Sequence, residues 1–219
     1  RATALFCSGM FLFTPYLYVN LFVRGDLSEL ASMAVLPWST FFLMLMNRRI
    51  SENKPFLHCL LAISLSLAAL VFCHPFTSLF FYPIFIVMTA FMSIGIGREY
   101  RNKFLLAGII SVICGAVFSS PYWFSAFQLK EYVDYASAIR GYFNPADHVV
   151  YFHQLFSRTW GYGDSIPGPG DGMPFQLGLP HFIVALAGFW LNRKNMFFLS
   201  AFILYVVCIF LMSPLSAPV

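Results

Sequence analysis

The stretch Pro55-Phe-Leu-His-Cys-Leu-Leu-Ala-Ile-Ser-Leu-Ser-Leu-Ala-Ala-Leu-Val-Phe-Cys73 decides the fold. After His58 it holds no ionisable side chain except its cysteines, and it runs apolar without the in/out alternation of a barrel strand. A bilayer core about 30 Å thick needs about 20 apolar residues of helix. The rest of the chain repeats the pattern. Candidate spans fall at 2–20, 27–46, 55–73, 76–96, 104–120, 178–191 and 196–213. The sixth is short. The expected fold is therefore all-α: a polytopic transmembrane bundle of about seven spans, forming a single domain over residues 1–219. The chain opens at Arg1 in apolar sequence and stops at Val219, and is expected to be a fragment of a longer protein.

Composition agrees. Apolar residues make up 59% of the 219 positions and charged residues 10%, with a mean hydropathy of +0.75. A water-soluble globule carries about 25% charged residues, so there is too little charge here to coat one. The net charge of +4 does not point to nucleic acid, because the basic residues are distributed by loop. Arg48, Arg49 and Lys54 lie in 47–54. Arg98, Arg101 and Lys103 lie in 97–103, and Arg193 and Lys194 in 192–195. These loops alternate with 21–26, the turn at Cys73-His74-Pro75, and the long segment 121–177. By the positive-inside rule the basic loops are cytoplasmic and the others external. Seven of the nine acidic residues then fall outside: Asp26, Glu29, Glu131, Asp134, Asp147, Asp164 and Asp171. The five cysteines form no CxxC and read as small packing residues.

Four external constellations carry possible chemistry. Asn20-Leu-Phe-Val-Arg-Gly-Asp-Leu-Ser-Glu29 joins the first two spans. Asp26 and Glu29 have the spacing of a helix start, while Arg24 suits a phosphate or pyrophosphate held by a two-pronged fork. His74-Pro-Phe-Thr77 is a turn between spans, where a hydrogen-bonded structural histidine is the ordinary alternative to a site residue. In Ser120-Pro-Tyr-Trp123, Tyr122 and Trp123 also suit an interfacial aromatic belt. The last is Trp160-Gly-Tyr-Gly-Asp164 running on through Asp171 to Phe175-Gln-Leu-Gly178. Trp160 and Tyr162 offer flat faces, and Asp171 and Gln176 offer hydrogen-bond partners, as a sugar requires. The same segment also reads as a lid. Residues 122–162 hold 13 aromatics in 41 positions, and 161–178 hold six of the 14 glycines. The stretch 131–140 has helical character. No P-loop, dinucleotide fingerprint, HExxH or GxSxG occurs. His148 and His153 are five apart, which is poor spacing for one helical metal site. No metal site or cofactor is evident. The spans hold almost no ionisable groups at mid-membrane, which argues against a pump or channel.

In this order, the four constellations resemble a prokaryotic family of multi-spanning proteins titled "6-pyruvoyl-tetrahydropterin synthase-related, membrane domain". That family is similar to polyprenol-dependent glycosyltransferases of the GT-C type. The likeness implies a polyprenyl-phosphate sugar as donor, membrane lipid and lipid-linked sugar as partners, and a site on the outer face of the prokaryotic cytoplasmic membrane. It implies that Asn20, Arg24, Asp26, Glu29, His74, Tyr122, Trp123, Trp160, Tyr162, Asp171 and Gln176 bind substrate. It places the catalytic carboxylate in an outer loop upstream of Arg1, and it carries no pterin chemistry over. A non-catalytic polytopic protein, such as a transporter or lipid-handling subunit, is the alternative. The basic-loop alternation predicts the topology directly. In a cysteine-free background, Ser165→Cys should react with an impermeant maleimide from outside and Ser51→Cys should not; the reverse pattern would invert the chain.

Overall fold

The structure is a computed structural model that describes residues 2–134, 140–141, 144–158, 165–173 and 175–216. It is all-helical, with no strand among the described residues. The helices are α1 (Ala2–Leu12), α2 (Pro15–Tyr18, continuing as a π-helical turn over Val19–Arg24), α3 (Leu27–Ser51), α4 (Leu57–Cys73), α5 (Pro75–Ile94), α6 (Arg98–Phe118), α7 (Ser120–Leu129), α8 (Leu179–Asn192) and α9 (Met196–Met212). At 1.5 Å per residue, the 25, 20 and 21 residues of α3, α5 and α6 are long and apolar enough to cross a bilayer. α1 and α2 make a fourth span if taken together, although they bend by 44° at their junction. α4, α8 and α9 are apolar but have only 17, 14 and 17 residues. On length and composition the described helices thus supply three or four spans.

The segment 121–177 is not wholly loop. Its first residues form α7, launched by Pro121 in the first helical turn. Among the described residues of 131–140, no α-helix is formed. α7 gives way to a single 3₁₀ turn at Lys130–Tyr132, and Asp134 is already irregular. Glu131 and Asp134 would place negative charge at the negative end of the helix dipole, which disfavours extension there. Residues 135–139 lie outside the described set.

The chain divides into two units. The first comprises Arg1–Leu27, Tyr132–Leu191 and Ile203–Val219; the second comprises Ser28–Glu131 and Asn192–Phe202. In the second unit apolar side chains such as Ile63, Leu67 and Phe104 fill the core, but hydroxyls are buried beside them and large apolar side chains also cover the outside. Ser32, Ser39, Ser64, Thr89, Ser93 and Ser111 are buried, while Leu65, Phe80 and Ile113 are each at least 56% exposed. The inner hydroxyls fold back onto their own helices: Ser64 donates to the Leu60 carbonyl (2.9 Å), Thr89 to Phe85 (2.8 Å) and Ser111 to Ala107 (2.9 Å). Small residues of this kind let helices approach closely in an apolar solvent. α6 approaches both of its neighbours closely, α5 at Gly108 and α4 at Gly115. A Cβ placed on Gly115 would lie 2.9 Å from the Leu67 Cβ and 3.3 Å from the Ser64 carbonyl oxygen.

The three basic segments gather at one end of this unit. Lys54 and Lys103 line one cavity, and a second cavity is lined by Asn47, Gly95, Lys194 and Asn195. The α4–α5 turn and the start of α7 lie at the other end. There Phe72, near the end of α4, packs edge-on against Tyr122. Gly115→Ala should lower the apparent melting temperature of the detergent-solubilised protein by the equivalent of about 1–3 kcal/mol. Gly9→Ala, where nothing lies within 4 Å, should cost nothing. Equal melting temperatures for the two variants would show that the α4–α6 contact is not tight.

Candidate functional site

In the first unit, a wide turn organises the polar residues. α2 relaxes into the π-helical turn Val19–Arg24 and stops at Gly25, whose φ of 65° is left-handed. Such single turns recur at functional sites. Glycine takes that conformation without strain, as at many helix ends. The N–H groups of Gly25 and Asp26 both reach the Asn20 carbonyl, the latter at 2.9 Å. Asn20 is fully buried, and its Oδ1 accepts from Arg24 Nη1 at 2.8 Å. The same Nη1 donates to the Tyr16 hydroxyl at 2.8 Å, and the guanidinium carbon stands 6.0 Å from the Tyr16 ring centre. Nη2 faces the Asp26 carboxylate at 3.5 Å. Arg24 and Asp26 keep 28% and 23% of their side-chain surface exposed.

Tyr16 is a site residue that sequence reasoning missed. Its signal was the spacing 16, 20 and 24, which places three polar side chains on successive turns of one helix face. Arg24 also closes the C-terminal end of its helix, where a cation is favoured by the dipole. Among the described residues, Tyr16 and Asn20 thus help to fix the guanidinium's direction, and the Asp26 carboxylate stands beside it.

In the second unit, Glu29 occupies the first turn of α3, and one of its carboxylate oxygens lies within 4.8 Å of a ring nitrogen of His74. His74 is the N-cap of α5. Its Nδ1 accepts from the Thr77 backbone N–H at 3.2 Å and sits 2.8 Å from the Thr77 hydroxyl. The histidine thus has a structural task, capping a helix whose next residue is Pro75. Accepting at Nδ1 leaves Nε2 to carry the proton of the neutral ring. A carboxylate and an imidazole at this separation can hold or pass a proton. Trp123 serves packing: its indole N–H donates to the Ala116 carbonyl at 2.8 Å and so closes the end of α6. Tyr122 and Trp123 are 39% and 38% exposed, as a belt requires.

In the first unit, Asp171 is a hub. Its Oδ1 accepts from the Met173 N–H at 2.9 Å, its Oδ2 from the Ser165 hydroxyl, and its backbone oxygen from Gln154 Nε2 at 3.3 Å. Gln154, 3% exposed, accepts from the Tyr151 N–H at 2.7 Å. His148 Nδ1 lies 3.1 Å from Ser165 Oγ, and His153 Nε2 lies 3.2 Å from the Pro169 carbonyl oxygen. Segment 165–173 is thus tied to segment 147–154 by side chains on both. Serine, not histidine, is the middle member of His148–Ser165–Asp171, so the order differs from that of a hydrolytic triad. Gln176 stays outside this network, and Trp160 and Tyr162 lie outside the described residues.

Within the first unit the predicted residues Asn20, Arg24 and Asp26 come together and Asp171 organises its own loop; within the second, Glu29 lies near His74 and Tyr122 neighbours Trp123. No protein-family model, curated protein or solved structure matches this chain. The Asp171 network predicts its own test. Asp171→Ala removes two side-chain acceptors, and charged hydrogen bonds contribute about 1.5–3 kcal/mol each. Amide exchange over 165–173 should accelerate roughly ten- to a hundredfold, whereas Gln176→Ala should leave it unchanged.

Proposed function

We propose that the chain is a membrane-embedded part of a GT-C-like glycosyltransferase of the prokaryotic cytoplasmic membrane. It moves a sugar from a polyprenyl-phosphate donor to an acceptor at the outer face. Under this reading the seven apolar segments all lie in the bilayer, with the shorter helices tilted or shielded by their neighbours. The end bearing Lys54, Lys103 and Lys194 is cytoplasmic, and the end bearing His74 is external.

The observation that carries the reading is the oriented guanidinium of Arg24 at the end of an apolar helix. Sugar transfer from a lipid phosphate leaves negative charge on the departing phosphate, and a preorganised cation stabilises it. Glu29 and His74 line the acceptor side as groups able to manage a proton. Asp171 orders the loop 165–173, and Trp160, Tyr162 and Gln176 are the residues that contact the sugar.

One observation favours the alternative of a non-catalytic polytopic protein. Arg24 already has Asp26 beside it and suits the end of its own helix, so it has a purely structural use. Donor binding separates the two. Arg24→Lys keeps the charge but loses the fork, and should weaken binding of a polyprenyl-phosphate sugar to the purified full-length protein. Arg24→Ala should weaken it further, by about 1.5–3 kcal/mol or roughly ten- to a hundredfold. Unchanged affinity in monodisperse Arg24→Ala protein would remove the phosphate role and leave the structural one.

A further inference from the structure

α4 and α6 touch tightly at Gly115 but leave a cleft at their opposite ends. Its volume is about 510 Å³, and it begins at the loop residues Asn53–Phe56. Leu60 and Ala107, 9% and 3% exposed, form its floor. Leu57, Leu106 and Ile110, 64%, 58% and 38% exposed, form an apolar wall. Lys54 and Lys103 line the same cleft. The Lys103 ammonium is held 5.3 Å from the Phe56 ring centre, so its charge stays near the mouth.

We propose that this cleft binds an anionic phospholipid, its phosphate between Lys54 and Lys103 and one acyl chain along Leu57, Leu60, Leu106 and Ile110. The proposal rests on the membrane reading above, with the basic end at the cytoplasmic surface.

The charge balance favours an anion. Glu52 is the acid beside Lys54, at 2.7 Å, and it is shared with Arg48, also at 2.7 Å. These hydrogen bonds, Arg48's first, hold the Glu52 carboxyl down to about 2, so it stays charged at neutral pH. Arg48, Glu52 and Lys54 together carry one net positive charge, and Lys103 adds a second. A phosphodiester with no cation of its own complements that pair; a zwitterionic headgroup brings a competing ammonium. Shape favours a lipid over a free anion. From Lys103 to Ile110 the apolar wall runs along two turns of helix, about 10 Å, and only a chain attached to the phosphate uses it.

Native mass spectrometry of the full-length protein, extracted in detergent and titrated with phosphatidylglycerol or phosphatidylcholine, tests this. Phosphatidylglycerol should bind in preference to phosphatidylcholine. A basic residue near an anionic surface contributes about 1 kcal/mol, so Lys54→Gln and Lys103→Gln should each weaken binding about fivefold, and together about thirtyfold. Lys130→Gln should not weaken it. Both lysines are exposed, and size-exclusion chromatography confirms that the variants remain folded. Equal binding of the two lipids, or full retention by the double variant, would overturn the proposal while leaving the membrane reading intact. So would inorganic phosphate raising the melting temperature as much as phosphatidylglycerol does, or a second copy of the chain occupying the cleft as a dimer that excludes lipid. Recovery of the protein in the soluble fraction without detergent would overturn the membrane reading itself, and the lipid site with it.

Discussion

The close approach of α6 to α4 at Gly115 is the contact on which the second unit depends. Under the proposed membrane reading no water drives these two apolar helices together, and they associate by packing. Packing at this distance excludes a Cβ, because the Ser64 carbonyl oxygen and the Leu67 Cβ occupy its place. Two features follow along the same helix. At one end, α6 stops three residues after Gly115; there the Trp123 indole donates to the Ala116 carbonyl, and the Ser119 hydroxyl joins its own backbone N–H on the Gly115 carbonyl. At the other end the side chains enlarge to Phe104 and Lys103, and the helices leave a cleft between them. Between the two ends, the Ser64 and Ser111 hydroxyls bond backward within their own helices.

The helical class and the long apolar helices were legible because they rest on long, uniform signals. α5 and α6 appear where continuous apolar runs predict them, and the basic residues that fix their ends gather as the alternation requires. Helix length was less legible. A run such as 178–191 shows that a segment is apolar, but not whether fourteen residues of helix cross alone or lean on neighbours. α7 was hidden because its aromatic sequence fits an interfacial belt as well as a helix. The break at Ser119, which separates α7 from α6, is a local backbone event that composition does not encode.

Site chemistry was legible in residue type and much less so in partnership. His74 is recognisable as a polar residue at a helix start, yet its bond to the Thr77 N–H belongs to capping. Asp171 stands out among glycines and prolines, but its role as a hub depends on Gln154, seventeen positions away, which no local pattern marks. Tyr16 was recoverable from its spacing to Asn20 and Arg24. It was missed because the span was read for apolarity rather than for a polar face.

The distances around Arg24 bear on how one side chain serves both structure and a phosphate. Nη1 makes two contacts of 2.8 Å to neutral oxygens, whereas the Asp26 carboxylate stands at 3.5 Å. Charge-assisted N–H···O bonds close to about 2.7–2.9 Å when they form fully. The guanidinium is therefore oriented by Tyr16 and Asn20, and the carboxylate beside it is a looser counter-charge. An incoming phosphate competes with the loose partner and not with the two that set direction. Under the proposed function, donor binding then needs no reorganisation of Arg24, and Asp26 balances its charge when the site is empty. Removing Asp26 should consequently strengthen donor phosphate binding, because the competing anion is gone, while removing Tyr16 should weaken it by releasing the guanidinium. If Asp26→Asn instead weakened donor binding as much as Arg24→Ala, the carboxylate would have to hold Arg24 in place, and the division of labour argued from these distances would fail.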